Sequence, residues 1–395
     1  MELDELKFLF SERGQAYLQQ LAAEGIDDNN HLMIASRLRR ELDRQETHAV
    51  LETVLLRQRA SQKFSRAQAM YFTRTALEQA SAEPVARYRA SRIAPMNPAA
   101  IADLGCGIGG DALALAHLAF VVGIDYDMQR LVMARENMRV YRQAHRFHPL
   151  LADLTQLPAL DVDVFFADPG RRDAKGRRYS APGDYTPPLP ALLSRWLPRV
   201  PDGAVKVSPG IDYSDVPADA GLEFVSLHGE VKEGILWFGD LRDGARRRAT
   251  LLPEGDTIST LDESKEPVLV TRPKQFLYEP DGAVIRAHLM RALAQKLGAT
   301  RLDEEIAYLT ADTAVETPFA RCFLIEHAMP FHLKNLRAQL RKMQVGRVVV
   351  KKRGSPLTPE ELQQRLDLDG EEEVIVFLTH VQGRPFVLIG RENCF

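Results

Sequence analysis

Cysteine is scarce. Three residues in 395, Cys106, Cys322 and Cys394, show neither the paired spacing of a disulfide framework nor the close spacing of a metal site. This excludes a disulfide-stapled scaffold, leads us to expect no metal, and fits a reducing cytoplasm. Long apolar runs are missing too: nothing approaches the roughly 18 uninterrupted apolar residues of a membrane helix. The opening Met1-Glu2-Leu3-Asp4-Glu5 is acidic, so no signal peptide is expected. Charge of one sign is also lacking. The formal net charge of −3 leaves any nucleic-acid contact to local basic patches rather than to the whole molecule. There is no internal repeat and no low-complexity tract. What remains is a chain longer than one typical domain, with 45% hydrophobic residues to fill ordinary cores. The oligomeric state is not legible.

Residues 1–95 read as a helical N-terminal region. Apolar residues recur at helical spacing in Ala49-Val50-Leu51-x-x-Val54-Leu55, and Gly and Pro are scarce there. Residues 96–245 alternate strand and helix signals. Short buried strands are expected at 99–104, 120–125, 148–152 and 162–167, with helices at 111–118 and 128–143. Further strands follow at 204–208, 223–228 and 235–239. This order predicts an α/β fold built on a doubly wound parallel sheet, closed by an antiparallel hairpin. The charged stretch Arg242–Glu266 reads as a linker or exposed loop. Residues 265–395 restart the pattern as a separate α+β domain. Asp281–Leu297 reads as one helix, Thr358-Pro359-Glu360-Glu361 as a capped helix start, and Gln382-Gly383 as a hairpin turn.

Asp103-Leu104-Gly105-Cys106-Gly107-Ile108-Gly109-Gly110 is the most informative segment. It leads from a strand into a helical pattern, so a ligand can lie against bare backbone at a helix N-terminus. The G-x-G-x-x-G spacing at Gly105, Gly107 and Gly110 alone is weak evidence. Two acids sharpen it. A carboxylate at Asp103 repels a pyrophosphate and suits a cationic amino group, while Asp125, at the end of the next strand, suits ribose hydroxyls. A nucleoside with a positively charged amino-acid tail satisfies both, and S-adenosylmethionine is that molecule.

Over about residues 70–240 the chain resembles the class I S-adenosylmethionine-dependent methyltransferases. Asp103-Leu104-Gly105-Cys106-Gly107 matches the first motif of that family, Asp125 its ribose-binding acid, and Ala152-Asp153-Leu154 the position that meets the adenine amino group. The resemblance implies a Rossmann-like sheet with Asp103, Gly105, Cys106, Gly107, Asp125, Tyr126, Asp153 and Leu154 lining the cofactor. It also implies that the helix before the first strand covers the methionine end, with Gln79 and Ser81 as candidate contacts. Asp153 has a competing reading as a turn cap.

Phe165-Phe166-Ala167-Asp168-Pro169-Gly170-Arg171-Arg172 follows the fourth strand, at the carboxyl edge where ligands bind. Many family members that act on nucleobase amines carry Asn/Asp-Pro-Pro-aromatic here. Pro169 would fix the backbone so that Asp168 accepts a hydrogen bond from the acceptor amine, which is a positioning effect. Gly170 replaces the second proline and Arg171 the aromatic, a departure that puts amine methylation of a base in doubt but not methyl transfer. Five of the eight residues 171–178 are basic, Arg171, Arg172, Lys175, Arg177 and Arg178, with Tyr179 and Tyr185 close behind. That composition suits phosphate contacts and stacking. No cysteine lies where C5 methylation of a pyrimidine needs its nucleophile.

Together with Tyr278-Glu279-Pro280 and Lys351-Lys352-Arg353-Gly354, these features resemble the bacterial group of class I methyltransferases that carries a C-terminal THUMP-like domain. The resemblance covers most of the chain and implies structured RNA, tRNA or rRNA, as the partner. Lys351, Lys352 and Arg353 are then candidate RNA contacts; a charged strand edge is the competing reading. The expected activity is S-adenosylmethionine-dependent methylation of a nucleobase in structured RNA. The alternatives are a methyltransferase of a small molecule or protein, and an inactive methyltransferase-fold RNA-binding protein. Asp103 and Asp168-Pro169 speak against a dinucleotide-dependent oxidoreductase.

Overall fold

In the computed structural model, residues 2–27, 29–170 and 181–392 are described. The chain divides into two compact units, one of Met1–Ala220 with Gly234–Asp243, the other of Gly221–Glu233 with Gly244–Phe395.

The first unit begins with α1 (Leu3–Phe10), α2 (Glu12–Glu24), α3 (His31–Leu38), α4 (Arg44–Ala60), α5 (Arg74–Gln79) and α6 (Glu83–Ile93). Three of their starts are set by side-chain caps. Ser11 accepts from the Gly14 N–H, Asp43 forms a capping box with Glu46, and Thr73 accepts from the Ala76 N–H. Strands β1 (Ala100–Leu104), β2 (Phe120–Asp125), β3 (Phe147–Leu151), β4 (Val164–Ala167) and β5 (Gly203–Val207) follow, with α7 (Ala112–Leu115), α8 (Met128–Val140) and α9 (Leu189–Trp196) between them. β6 (Gly221–Leu227) and β7 (Glu230–Phe238) come next in the chain. In this unit the sheet runs β3-β2-β1-β4-β5-β7, parallel except for β7, which is antiparallel to β5. This is the doubly wound, Rossmann-like sheet expected of the strand–helix alternation. The helix after the glycine loop is shorter than the expected 111–118. Asn137 of α8, wholly buried, accepts from the Tyr71 N–H at 2.8 Å and donates to the Tyr71 and Ile108 carbonyls at 3.1 and 3.0 Å. It fastens the N-terminal segment and the glycine loop to one helix.

In the second unit, β6 leads into β7 through His228-Gly229, both at positive φ, the backbone of a tight hairpin turn. The stretch expected as a linker instead carries β8 (Arg247–Leu252) and β9 (Asp256–Ser259), with β8 parallel to β6 and β9 antiparallel to β8. Their buried residues, Ala249, Thr250, Leu252, Ile258 and Ser259, form two short groups in a stretch otherwise rich in charge, Pro and Gly, so composition hides the strands. The helix expected over 281–297 is two, α10 (Gly282–Arg286) and α11 (Met290–Leu297), broken where His288 takes a φ of +52°. β10 (Phe276–Pro280), β11 (Thr300–Arg301) and β12 (Leu309–Ala311) precede β13 (Ala320–Pro330), α12 (Leu333–Lys342), β14 (Val345–Lys352), α13 (Pro359–Arg365), β15 (Glu372–Val381) and β16 (Arg384–Arg391). These strands form a sheet ordered β11-β12-β10-β13-β16-β15-β14. Leu336, Leu340 and Leu362 of α12 and α13 pack on Val374, Val376, Leu378, Val387 and Ile389. A second cluster groups Leu277, Tyr308, Phe323, Phe377 and Leu388. No helix among the described residues is long and apolar enough to cross a membrane.

Candidate functional site

Register brings the acids together. Asp103 of β1 lies opposite Gly123 of β2 and Phe166 of β4, and Phe166 lies opposite Ala204 of β5. Alternation then places Asp125, Asp168 and Lys206, each two residues further along, on the Asp103 face near the carboxyl edge.

Asp103 is 0% exposed, and neither carboxylate oxygen has a hydrogen-bond partner among the described residues. Burial, reinforced by the negative charges of Asp111 and Asp168, holds its carboxyl well above the ordinary range, and Arg89 opposes this. Arg89 of α6 is itself buried, paired with Asp111, with its guanidinium carbon 4.9 Å above the Phe166 ring. An orphaned carboxyl among negative charges is costly in a folded chain. An ammonium group at this position supplies both the missing donors and the missing charge.

The loop after Asp103 closes on β2 and on Asp168. The Gly105 and Cys106 N–H groups donate to the Ile124 carbonyl at 2.8 and 2.9 Å, and the Asp168 N–H donates to the Leu104 carbonyl at 3.1 Å. Gly105 has a φ of +82°, and a Cβ there would stand 3.1 Å from the Asp168 carbonyl oxygen. Asp125 is 3% exposed and holds the loop: its Oδ2 accepts from the Gly107 N–H and its Oδ1 from the Asp127 N–H, both at 3.0 Å. Burial raises its carboxyl, against the pull of Arg130 and the two N–H donors. Each oxygen keeps a second acceptor position. Beside it, Tyr126 and Leu151 are 68% and 49% exposed, an unusual display of apolar surface at one sheet edge. The Cys106 side chain is buried, with its sulfur packed close to Gly123, and burial pushes its thiol well up.

Asp153 is exposed and makes a turn. Its Oδ1 accepts from the Thr155 N–H at 2.8 Å, which lowers its carboxyl, and its carbonyl accepts from Gln156 and Leu157. Leu154 beside it is half-buried. Gln79 is the last residue of α5, half-buried, and Ser81 is buried in the junction to α6. That junction lies on the glycine loop, since a Cβ on Gly110 would stand 3.6 Å from the Ala80 Cβ and 3.8 Å from the Ser81 nitrogen.

Asp168 leaves β4 half-buried, and its Oδ2 accepts from the Lys206 ammonium at 2.7 Å. Pro169 is buried, and Gly170 exchanges two 2.9 Å backbone hydrogen bonds with Thr186. Tyr185, expected as a stacking platform, is instead buried, with its hydroxyl accepting from the Ser208 N–H at 3.0 Å. Arg171, Arg172, Lys175, Arg177, Arg178 and Tyr179 lie outside the described residues, as does Cys394.

In the second unit, Lys351 pairs with Glu279 and its ammonium sits 5.2 Å above the Phe323 ring. Arg353 approaches the same Glu279 at 3.7 Å and stacks 5.1 Å from the Tyr308 ring. Lys352 is exposed.

The sequence reading passed over Arg89, Asn137 and Lys206. Only Lys206 carried a signal, a lone lysine in the apolar strand Gly203-Ala204-Val205-Lys206-Val207.

Three parts of the chain match family models: residues 2–60 a domain of unknown function, 99–177 the RNA cap guanine-N2 methyltransferases, and 320–392 the THUMP-like domains. Proteins named as uncharacterized S-adenosylmethionine-dependent methyltransferases in two strains of Mycobacterium tuberculosis, CDC 1551 and H37Rv, are each 35% identical over 349 residues. That alignment spans 84% of this chain and 92% of each relative. The crystal structure of a candidate methyltransferase from Porphyromonas gingivalis W83 superposes with a TM-score of 0.73 at 24% identity, covering 93% of this chain and 99% of that one. At that identity the likeness speaks for the fold.

Proposed function

This chain belongs to the S-adenosylmethionine-dependent methyltransferases, and we propose that it acts in the cytoplasm on a nucleobase nitrogen of structured RNA, tRNA or rRNA. The observation that carries this reading is Asp168: a partly accessible carboxylate at the carboxyl edge, on the sheet face that holds the orphaned Asp103. Support for RNA comes from the match of residues 99–177 to the RNA cap guanine-N2 methyltransferases and of residues 320–392 to the THUMP-like domains.

In this reading Asp103 receives the ammonium of the cofactor, Gly105, Cys106 and Gly107 carry it on backbone, and Asp125 takes the ribose hydroxyls with its remaining acceptor positions. Tyr126, Asp153 and Leu154 border the adenine, and Gln79 and Ser81 the methionine end. When bound, S-adenosylmethionine supplies an electrophilic methyl group on a sulfonium. Asp168, on a backbone stiffened by Pro169, accepts an N–H of the acceptor and so aims the nitrogen lone pair; restricting that approach is worth several kcal/mol, about 7–11 in the best intramolecular cases. Arg171 and Arg172 hold phosphate or base, and Lys175, Arg177 and Arg178 extend the phosphate track. Lys352 is the exposed member of the Lys351-Lys352-Arg353 group and its first candidate for RNA.

The net charge of −3 and the missing aromatic after Asp168-Pro169 favour one alternative, a small-molecule or protein acceptor with the same cofactor site. One experiment separates them. The protein and its Asp168→Ala variant are incubated with labelled cofactor and RNA from cells lacking the gene, followed by nucleoside mass spectrometry. Label in one modified nucleoside with the wild type, and its loss with the variant, is expected. Wild-type protein that binds cofactor yet leaves the RNA unlabelled refutes the RNA acceptor, and equal labelling by the variant removes Asp168 from its role.

A further inference from the structure

A lysine in the interior requires a reason. Lys206 is 4% exposed, between Val205 and Val207 that are wholly buried, and the same strand position could hold an apolar side chain with no charge to desolvate. Its ammonium donates to Asp168 Oδ2 at 2.7 Å and to Ser81 Oγ at 3.2 Å. The two partners arrive from distant parts of the sequence. Ser81 sits in the α5–α6 junction that lies on the glycine loop, and Lys63 secures that junction by donating to the Leu77 and Ala80 carbonyls at 2.7 and 2.9 Å. Asp168 leaves β4 with its backbone tied to Leu104 and Gly170 tied to Thr186. Lys206 is thus the point where the cover of the glycine loop meets the acid of the Asp-Pro turn. Among the described residues no hydrogen bond engages Asp168 Oδ1.

We propose that Lys206 is a positioning residue for methyl transfer: it holds Asp168 by Oδ2 and keeps Oδ1 turned to the acceptor. The same ammonium offsets a carboxylate that otherwise stands uncompensated on the Asp103 face. The Ser81 hydroxyl fixes the ammonium from the other side, so the acceptor acid is set only when the junction is seated on the loop. The proposal rests on the reading of Asp168 as the acceptor acid, and Lys206 acts through that residue.

The test is a cycle of Lys206→Met, Asp168→Ala and the double variant in the full-length protein. It is read by calorimetric titration with S-adenosylmethionine, by thermal melting, and by label transfer into RNA, protein and small-molecule fractions from cells lacking the gene. Lys206→Met is expected to keep cofactor affinity within about threefold while transfer falls on the order of 10²-fold, the scale of a misplaced reacting group. Its melting temperature falls, because a partly buried carboxylate has lost its partner, and the double variant recovers it. Transfer by the double variant equals that of Asp168→Ala, since residues acting as one unit do not add. If Lys206→Met does not fold, the double variant still carries this comparison. Wild-type transfer by Lys206→Met, or a double variant well below Asp168→Ala, overturns the proposal while Asp168 keeps its role. Wild-type transfer by Asp168→Ala overturns the reading beneath it, and this one with it. Label entering protein or small molecules instead of RNA refutes only the RNA acceptor, and the cycle is then read on that fraction. No label in any fraction with the wild type overturns both.

Discussion

Replacing Asp103 by Asn keeps the shape of the side chain and removes its charge, with opposite effects on two measurable quantities. In the ligand-free chain the carboxyl is fully buried, both oxygens lack partners among the described residues, and burial with Asp111 and Asp168 raises its pKa. The folded state therefore binds the proton more tightly than the unfolded chain does. The stability this contributes is fully present below the unfolded value and is lost as pH rises through the folded one. At neutral pH the charged form opposes folding. An unsatisfied buried polar group costs about 1–3 kcal/mol; Asn still buries an amide, so we expect a gain of about 1 kcal/mol. In a unit of this size that is about 2–4 °C in Tm, shrinking as pH is lowered toward the unfolded carboxyl range. The bound cofactor reverses the sign. A charge-assisted hydrogen bond to its ammonium is worth about 1.5–3 kcal/mol, so Kd should rise about 10- to 100-fold. Differential scanning calorimetry across pH and titration with S-adenosylmethionine measure both effects. A variant that melts lower at neutral pH and binds cofactor as well as the wild type would refute the assignment of Asp103 to a ligand cation.

Gly105→Ala adds a Cβ at a φ of +82° and 3.1 Å from the Asp168 carbonyl, whereas Gly107→Ala, at +54°, meets nothing within 4 Å. Both should lose about 1–2 kcal/mol by urea unfolding and weaken cofactor binding, and at saturating S-adenosylmethionine Gly105→Ala should lose more methyl transfer than Gly107→Ala by displacing Asp168. Equal transfer by the two variants would contradict this. In the second unit, Lys351→Ala removes the Glu279 pair and the contact with Phe323, and its melting temperature should fall. Lys352→Ala, exposed, should leave melting unchanged, weaken RNA binding, and lower the salt slope of log Kd by about one. Filter binding over a salt series checks the second pair.

The glycine loop was readable because its constraints are local. Glycines that need positive φ, an acid at a strand end and a second acid at the end of the next strand all fall within 23 residues, Asp103 to Asp125. The strand–helix alternation was equally direct, and it led to a doubly wound parallel sheet; the order of its strands came from the structure. The strands at 247–259 were not readable, because each has only two or three buried residues and begins on charged ones, Arg247 and Arg248 in one and Asp256 in the other. The break at His288 was missed because the apolar pattern continues across it. For Asp153, the turn it makes by accepting from Thr155 is the local reading the sequence also allowed.

By itself, the sequence determined the class of fold, the glycine loop with its two acids and the family resemblance, since these depend on residues close together in the chain. Tertiary structure alone decided which charges share a face and which are already spent. Lys206 reaches Asp168 across 38 positions and Ser81 across 125, while Lys351 meets Glu279 across 72. Strand register sets the first of these, placing Asp168 and Lys206 on neighbouring strands, and register is a property of the sheet, which no single strand encodes.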